Sequence, residues 1–358
     1  MKYILTSLLS LTVLLSFGQS LQTVESVEYD HENQRFLVSN GNSIIAIDQS
    51  TGELSYFGNA TASYGMEIMN GNLFAISDGL IQGFDLASGG ESMSLSIPGS
   101  GFLNGMASNG ESTIWVTDFS NDRIYEIDVS DLQNPTWEIV VSNTNSTPNG
   151  IVYDDQNNRL VFVNWGNNAP VKAVDLADYS VSTLTDTNLG NCDGIDNDSE
   201  NNFYVSSWSP LRISKFNSTF SGTPETIIAP GISNPADICY AKQIDTLAIP
   251  NSGNNTVTFI GFDTAVGIEK VNSSLFNFQI FGNPVTEQSY LSFNCEKSSD
   301  VTLNLVDING KIIETLISNQ RIIGQYKVLL NGIDFDKGIY FATLQIDQIT
   351  TVKKLIYD

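Results

Sequence analysis

Six residues recur along the chain, each directly before a small one: Glu25-Ser26, Tyr64-Gly65, Asn104-Gly105, Asn149-Gly150, Asp193-Gly194 and Pro235-Ala236. Four of the six leading residues carry side-chain oxygen acceptors, and Glu25 and Asp193 are carboxylates. Gathered around one point, such an all-oxygen set suits a hard divalent cation such as Ca²⁺. The dipeptides also have a plainer reading. Asn-Gly and Asp-Gly are common in turns because both residues accept positive φ, and a ring of polar side chains can simply hydrate a channel mouth. Spacing alone leaves both open.

The spacing does say what must position these residues. Successive small residues lie 39, 40, 45, 44 and 42 positions apart. A period near 40 with four short strands per unit is the sequence sign of a β-propeller. The most apolar run of each unit reads as a buried strand, for example Leu73-Phe74-Ala75-Ile76, Leu160-Val161-Phe162-Val163 and Phe203-Tyr204-Val205. A third strand alternates in period two, as in Ile124-Tyr125-Glu126-Ile127-Asp128, and fourth strands are expected at 54–57, 92–97, 137–141, 181–184 and 226–229. No comparable run follows Phe259 in the sixth unit, so residues 19–23 are the expected closing strand. The reading is all-β: a six-bladed β-propeller over 19–265, with a two-sheet sandwich as the rival architecture. In a propeller the first strand of each blade lines the central channel, so the six leading residues meet at one mouth.

Composition excludes several function classes. The chain carries 16 basic and 40 acidic residues, a formal net charge of -24. Such a surface repels phosphate backbones, so nucleic acid is not an expected partner, whereas cations are attracted. Residues 19–265 hold 7 basic against 30 acidic side chains, and residues 266–358 hold 8 against 10. That shift marks a boundary near 266. Lys2, the apolar run Ile4–Leu15 and the small residues Ser16 and Gly18 predict a signal peptide over 1–18. The run is too short to span a bilayer, and no other approaches spanning length, so no transmembrane anchor is expected. Cys192, Cys239 and Cys295 are too dispersed for a disulfide framework or a zinc motif and read as small buried hydrophobes. The single histidine, His31, sits in a polar turn, which argues against a Ser-His-Asp triad.

Residues 21–262 resemble the senescence-marker/gluconolactonase family of six-bladed, calcium-dependent propellers. The resemblance is carried by Glu25-Ser26 with Tyr29-Asp30, by Pro148-Asn149-Gly150-Ile151, and by Asp193-Gly194-Ile195 followed by Asn202-Phe203-Tyr204-Val205-Ser206-Ser207-Trp208. It implies one divalent cation, Ca²⁺ for preference, held by Glu25, Asn149 and Asp193, with Asn104 lining the substrate cavity. It further implies that Asp193 takes a proton from an attacking water while the cation polarises a lactone carbonyl. Tyr64, Trp115, Trp165 and Trp208 have two readings of equal weight, an apolar wall at the mouth or packing within the core and between blades. Two departures count against a sugar-acid lactone as substrate. Ser26-Val27 stands where the family has Gly-Pro, and Phe102 where its sugar lactonases often place an arginine.

After a linker at 266–275, residues 276–358 carry a second set of strands and read as a small β-sandwich. Asn283-Pro284-Val285, Asp307-Ile308-Asn309-Gly310-Lys311, Lys337-Gly338-Ile339-Tyr340-Phe341 and Lys353-Lys354-Leu355-Ile356 resemble, in order, the C-terminal sorting domain of type IX secretion in Bacteroidetes. That implies the outer-membrane secretion machinery as partner and passage through the periplasm to the surface or medium. Two functions follow from the whole reading: a secreted metal-dependent hydrolase of a lactone or related ester, or a non-catalytic propeller binding a glycan or protein.

Overall fold

The computed structural model describes residues 19–229, 231–262, 275–330 and 336–357, and apart from one short 3-10 turn at Leu275–Asn277 its regular elements are all strands. The expected signal peptide lies outside the described residues, as does nearly all of the expected linker.

Each of the first five repeats folds into its own antiparallel sheet of four strands. The first is Val27–Asp30, Arg35–Ser39, Ile44–Asp48 and Leu54–Tyr56 (β1–β4). The second is Met66–Met69, Asn72–Ser77, Leu80–Asp85 and Glu91–Ser96 (β5–β8). The third is Leu103–Ser108, Thr113–Asp118, Arg123–Asp128 and Thr136–Val141 (β9–β12). The fourth is Thr147–Asp154, Arg159–Trp165, Val171–Asp175 and Val181–Thr185 (β13–β16). The fifth is Gly190–Asn197, Phe203–Ser209, Leu211–Phe216 and Glu225–Ile227 (β17–β20).

Burial follows position in the blade. In β14, Leu160, Val161, Phe162 and Val163 are all fully buried, because a central strand is covered on both faces by neighbouring blades and has no polar side to show. The outer strand β12 is mostly exposed. Two-residue hairpins carry the expected turn chemistry. Asn70-Gly71 and Asp78-Gly79 all have positive φ, the conformation that a type I′ connection requires.

The repeat glycines obey a different rule. Gly65, Gly105, Gly150 and Gly194 do not have positive φ; the turn reading of Asn104-Gly105, Asn149-Gly150 and Asp193-Gly194 is therefore replaced. A Cβ on Gly65 would lie 2.4 Å from the Asn104 carbonyl oxygen, and one on Gly105 would lie 2.4 Å from that of Asn149. On Gly150 it would meet the Asp193 oxygen at 2.5 Å, and on Gly194 the Ile238 nitrogen at 2.5 Å. Neighbouring inner strands approach backbone to backbone, and only glycine fits between them.

The sixth repeat contributes Cys239–Ala241, Thr246–Asn251 and Thr256–Gly261 (β21–β23). It meets the first repeat through a parallel bridge, Ser26 to Asp237, and the Asp237 N–H donates to the Glu25 carbonyl at 2.9 Å. Here the expectation of six like blades is corrected. Because no fourth strand-forming run follows β23, the repeat enters an eight-stranded sheet shared with the C-terminal region, and five blades are complete in themselves. Residues 19–23 do not form the closing strand, since the outer edge of β23 is already taken.

The C-terminal strands are Gln279–Phe281, Tyr290–Val306, Ile312–Leu329, Gly338–Ile346 and Ile349–Tyr357 (β24–β28). Two of them, β25 and β26, are long, and their mutual register shifts at several points, including between Cys295 and Ser299. All the tail strands are hydrogen-bonded into one sheet, with β25 pairing β26 along its length, β24 at one end and β27 at the other. Asp307–Lys311 forms the predicted turn, closed by the Asp307 N–H on the Lys311 carbonyl at 3.0 Å.

The close approach at the axis gives a direct test. Gly150→Ala should destabilise the protein by about 2 kcal/mol or more, the range for overpacking against backbone that cannot yield. Gly90→Ala, at an exposed position whose one neighbour within 4 Å is the Ser88 hydroxyl at 3.3 Å, should stay within about 0.5 kcal/mol. Denaturant midpoints of the two variants check this; equal midpoints would contradict it.

Candidate functional site

The inner strands aim their leading residues by bulging. In β9, Leu103 pairs with Asp118 and Met106 with Val116, so Asn104 and Gly105 together oppose Thr117. In the same way Asn149-Gly150 opposes Val163, and Asp193-Gly194 opposes Ser206. An extra residue unpairs the strand locally and turns its side chain out of the ladder. Facing hydroxyls secure two of these bulges. Thr117 Oγ1 accepts from the Gly105 N–H and donates to the Asn149 carbonyl, both at 2.8 Å. Ser206 Oγ accepts from Gly194 at 2.7 Å and donates to Ala236 at 2.8 Å. Each hydroxyl ties its own bulge to the backbone of the next repeat.

Three expected ligands are brought into one neighbourhood. Asn149 Nδ2 donates to Asp193 Oδ1 and to the Cys192 carbonyl, both at 3.3 Å. Asn149 Oδ1 is buried and has no hydrogen-bond partner. Burial holds the Asp193 carboxyl well above its ordinary range, and the charges of Glu25 and Asp237 push it further, against the lowering effect of donors on Asn149 and Trp208. Burial, with the Asp237 charge, raises Glu25 to about 7. Burial also raises the Tyr64 hydroxyl, with Glu25 adding to it, so Tyr64 faces the same centre. Asn104 is buried in its bulge, and its carbonyl accepts from the Gly65 N–H at 2.9 Å.

An arc of half-exposed aromatic rings runs beside this centre. Tyr64 packs edge-on to Phe102 at 4.6 Å, Phe102 to Phe119 at 5.4 Å, Phe119 to Trp165 at 6.2 Å, and Trp165 to Trp208 at 4.9 Å. Trp208 Nε1 donates to the Pro235 carbonyl at 3.1 Å. Tyr64, Trp165 and Trp208 therefore stand in one row of rings. Trp115 does not belong to it: it is buried between blades, stacked near Tyr153 and donating to Glu126 at 2.8 Å. Phe102 and Phe119 were missed as members of the wall. Each adjoins the mouth in sequence, which was the available signal.

Also missed was a set of carboxylates along the inner strands: Glu28, Glu67, Asp196 and Asp237. Burial raises all four; repulsion within the set adds to it at Glu28, Glu67 and Asp237, and the Asp198 charge adds to it at Asp196; Glu67 reaches about 8 and Asp237 about 7. Their partners are few. Ser108 donates to Glu67 at 3.1 Å, Ser26 to Asp237 at 2.9 Å, and the Tyr240 N–H to Asp196 at 2.5 Å. The Lys242 ammonium partly offsets the rise at Asp196 and Glu67. A simple two-residue alternation from Asp193 points to Ile195, but the bulge adds one residue and brings Asp196 to the channel instead. Among the described residues no group of three or more Asp, Glu, His or Cys is spaced to hold a metal ion, so a cation at the mouth would need the Asn149 amide in its shell.

Comparison with known proteins bears on the two regions differently. Residues 279–358 match the secretion system C-terminal sorting domain. The chain is accordingly directed to secretion by the type IX route, with that tail as the part its machinery engages. Among the described residues no helix is long and apolar enough to cross a membrane. No curated protein gives a significant match to the chain. Solved structures share the propeller fold. A nidogen/laminin complex aligns with a TM-score of 0.56 at 16% identity, covering 83% of this chain and 99% of the other. A luciferin-regenerating enzyme aligns at 0.52 and 13%, covering 65% and 85%. A streptogramin B lyase aligns at 0.51 and 18%, covering 72% and 88%. At these identities the likeness is one of fold.

The enclosed carboxylates set a pH dependence. Glu67 and Asp237 titrate near 8 and 7 in the folded protein, against ordinary values of 4.5 and 3.8. The folded state therefore holds these protons more tightly than the unfolded chain. Their contribution is fully present below the ordinary carboxylate range and is lost as pH rises through about 7 to 8. With chelator present, the melting temperature should fall between about pH 5 and about pH 8.5, a window in which ordinary carboxylates are already ionised. Glu67→Gln, which keeps the neutral shape, should flatten that fall. Calorimetry across the window checks it, and a level or rising profile in wild type would refute it.

Proposed function

We propose that the protein is a secreted hydrolase of lactones or related esters, dependent on a divalent cation held at the mouth of the propeller. The observation that carries this reading is Asn149 Oδ1, a buried acceptor left without a partner beside two carboxylates that lack counter-charge. A buried acceptor is ordinarily satisfied, and carboxylates repel unless something positive lies between them. Glu25, Asn149 through Oδ1, and Asp193 would be the ligands. When bound, a hard cation such as Ca²⁺ would supply Lewis-acid polarisation of a substrate carbonyl. The reading counts β21–β23 as a sixth blade and places the propeller with the senescence-marker/gluconolactonase family.

The chain's own residues then divide the work. The bulges of β13 and β17 hold Asn149 and Asp193 on rigid backbone, which fixes the angle at which a substrate meets them. The Asp193 carboxylate takes the proton of the attacking water from the position its bulge fixes. The Asn149 amide donates to that carboxylate, and the Trp208 indole, whose N–H is held by the Pro235 carbonyl, stands beside it. Asn104 offers an amide to the polar part of the substrate.

The aromatic arc sets the substrate class. Phe102, with Tyr64, Phe119, Trp165 and Trp208, favours a flat apolar body over a polyhydroxylated chain, so aryl or alkyl lactones fit better than sugar-acid lactones. The same rings would also stack on pyranose faces, which keeps glycan binding without hydrolysis as a second reading.

Metal analysis of the purified protein and a panel of lactones and aryl esters, with and without Ca²⁺, separate these. We expect one tightly held cation per chain and turnover that chelator abolishes. Asp193→Asn should cost at least about 10²-fold in kcat/KM, the usual share of a general base. Phe102→Ala should raise KM for an aryl lactone by about tenfold, in line with the loss of one good apolar contact. Metal-free protein whose slow background hydrolysis is unaltered by Asp193→Asn would overturn the enzyme reading and leave glycan affinity to be measured.

A further inference from the structure

We propose that the secretion tail is the closing strand of the propeller, so that propeller and tail fold and hold together as one unit rather than as a cargo and a tethered signal. The outermost strand of the sixth repeat is supplied by β28. It runs parallel to β23, with Val257 opposite Ile349, Thr258 opposite Thr350, Phe259 opposite Thr351 and Ile260 opposite Val352. In the five complete blades the fourth strand returns antiparallel from a neighbouring hairpin. The parallel sense follows from origin, because this strand arrives from the far end of the chain. On its other edge β28 pairs with β27 along nine residues, so the tail is hydrogen-bonded into the propeller sheet by a strand it cannot release without breaking the ladder.

Two further observations converge on the same seam. The apolar core is continuous across it. Phe36 and Ile47 of the first blade, Val257 and Phe259 of β23, and Leu291, Ile346 and Ile349 of the tail belong to a single buried cluster. The Phe276 ring lies against Gly52 of the first blade, where a Cβ would come within 2.2 Å of it. The polar contact is equally specific. Gln348, in the turn before β28, accepts from the Leu21 N–H through Oε1 and donates through Nε2 to the carbonyls of Leu21 and Asn255, each at 3.2 Å. One side chain therefore clasps the N-terminal segment and the β22–β23 turn together.

Loss of β28 would uncover an edge strand whose Val257 and Phe259 are now fully buried. Such an edge accepts another strand. The ligand it selects is a short β-branched strand of the kind Ile349-Thr350-Thr351-Val352 provides, and in the exported chain the tail provides it in cis.

The test is made on the full-length chain carrying a site-specific protease sequence within residues 263–274, cut after folding. The two pieces should leave gel filtration as one species of the uncut mass, with amides 256–261 protected from hydrogen exchange as in the uncut chain. Gln348→Ala should weaken the nicked complex about five- to tenfold on dilution, and Val352→Asp should weaken it more. Pieces that elute separately, or a nicked complex whose affinity neither substitution alters, would overturn the proposal. None of these readouts depends on metal or hydrolysis, so the result stands apart from the proposed activity.

Discussion

The contact on which the molecule depends is backbone against backbone at the propeller axis. Inner strands of neighbouring repeats come so near that the space beside Gly65, Gly105, Gly150 and Gly194 is filled by the next strand's carbonyl or amide. This fixes the narrowness of the channel, and it explains why the repeat phrase has a small residue at its centre. It also explains the bulges. A regular ladder would give these strands no spare backbone groups to share. With an extra residue at Asn104, Asn149 and Asp193, the freed groups bond across to the neighbour, directly or through Thr117 and Ser206. The same extra residue turns a polar side chain toward the mouth. Fold closure and site geometry are thus one device.

A narrow channel lined by acids has an electrostatic cost that a wide one would not. Glu25, Glu28, Glu67, Asp193, Asp196 and Asp237 are crowded together, and burial and neighbouring acids raise each of them, although only Asp193 is almost wholly shielded from solvent. Lys242 is near only part of the set. Without compensation several of these groups keep their protons near neutral pH. A cation would compensate the upper members, and protonation serves the lower ones. The chain's acidity is therefore of two kinds. Many of its carboxylates are solvated turn residues, such as Asp85 and Asp128, whose hydrogen bonds from neighbouring Ser residues hold them low. A small enclosed minority carries whatever the mouth does.

Local pattern made much of this legible. The apolar central strands announce themselves because both of their faces are covered, and their spacing gave the repeat. The leading residues were legible as a ring because equivalent positions must meet at an axis. The reason for the glycines was not, since Asn-Gly looks the same whether it turns a hairpin, as Asn70-Gly71 does, or yields room to a neighbour, as Asn104-Gly105 does. Asp196 was hidden by the bulge, which shifts the channel face by one residue. The closing strand was hidden for another reason. Parallel pairing between β23 and β28 joins residues some ninety positions apart and leaves no turn signal between them.

That pairing gives the tail two surfaces with different duties. Its inner side is committed to the propeller through β28, Phe276 and Gln348. Elsewhere it is rich in exposed apolar side chains: seven of the eleven large hydrophobic residues exposed among the described residues belong to it, namely Phe281, Ile308, Ile312, Ile313, Ile323, Leu329 and Ile339. Exposed apolar residues are ordinary on a protein surface, and none of these seven takes part in the β23–β28 pairing. A partner in the secretion machinery can engage these residues while β28 stays in place. Recognition of the tail then does not require the propeller to open, and the folded cargo can be presented with its ring closed. Removal of the tail is a different event, because it takes away a strand that the sixth repeat does not replace from its own sequence.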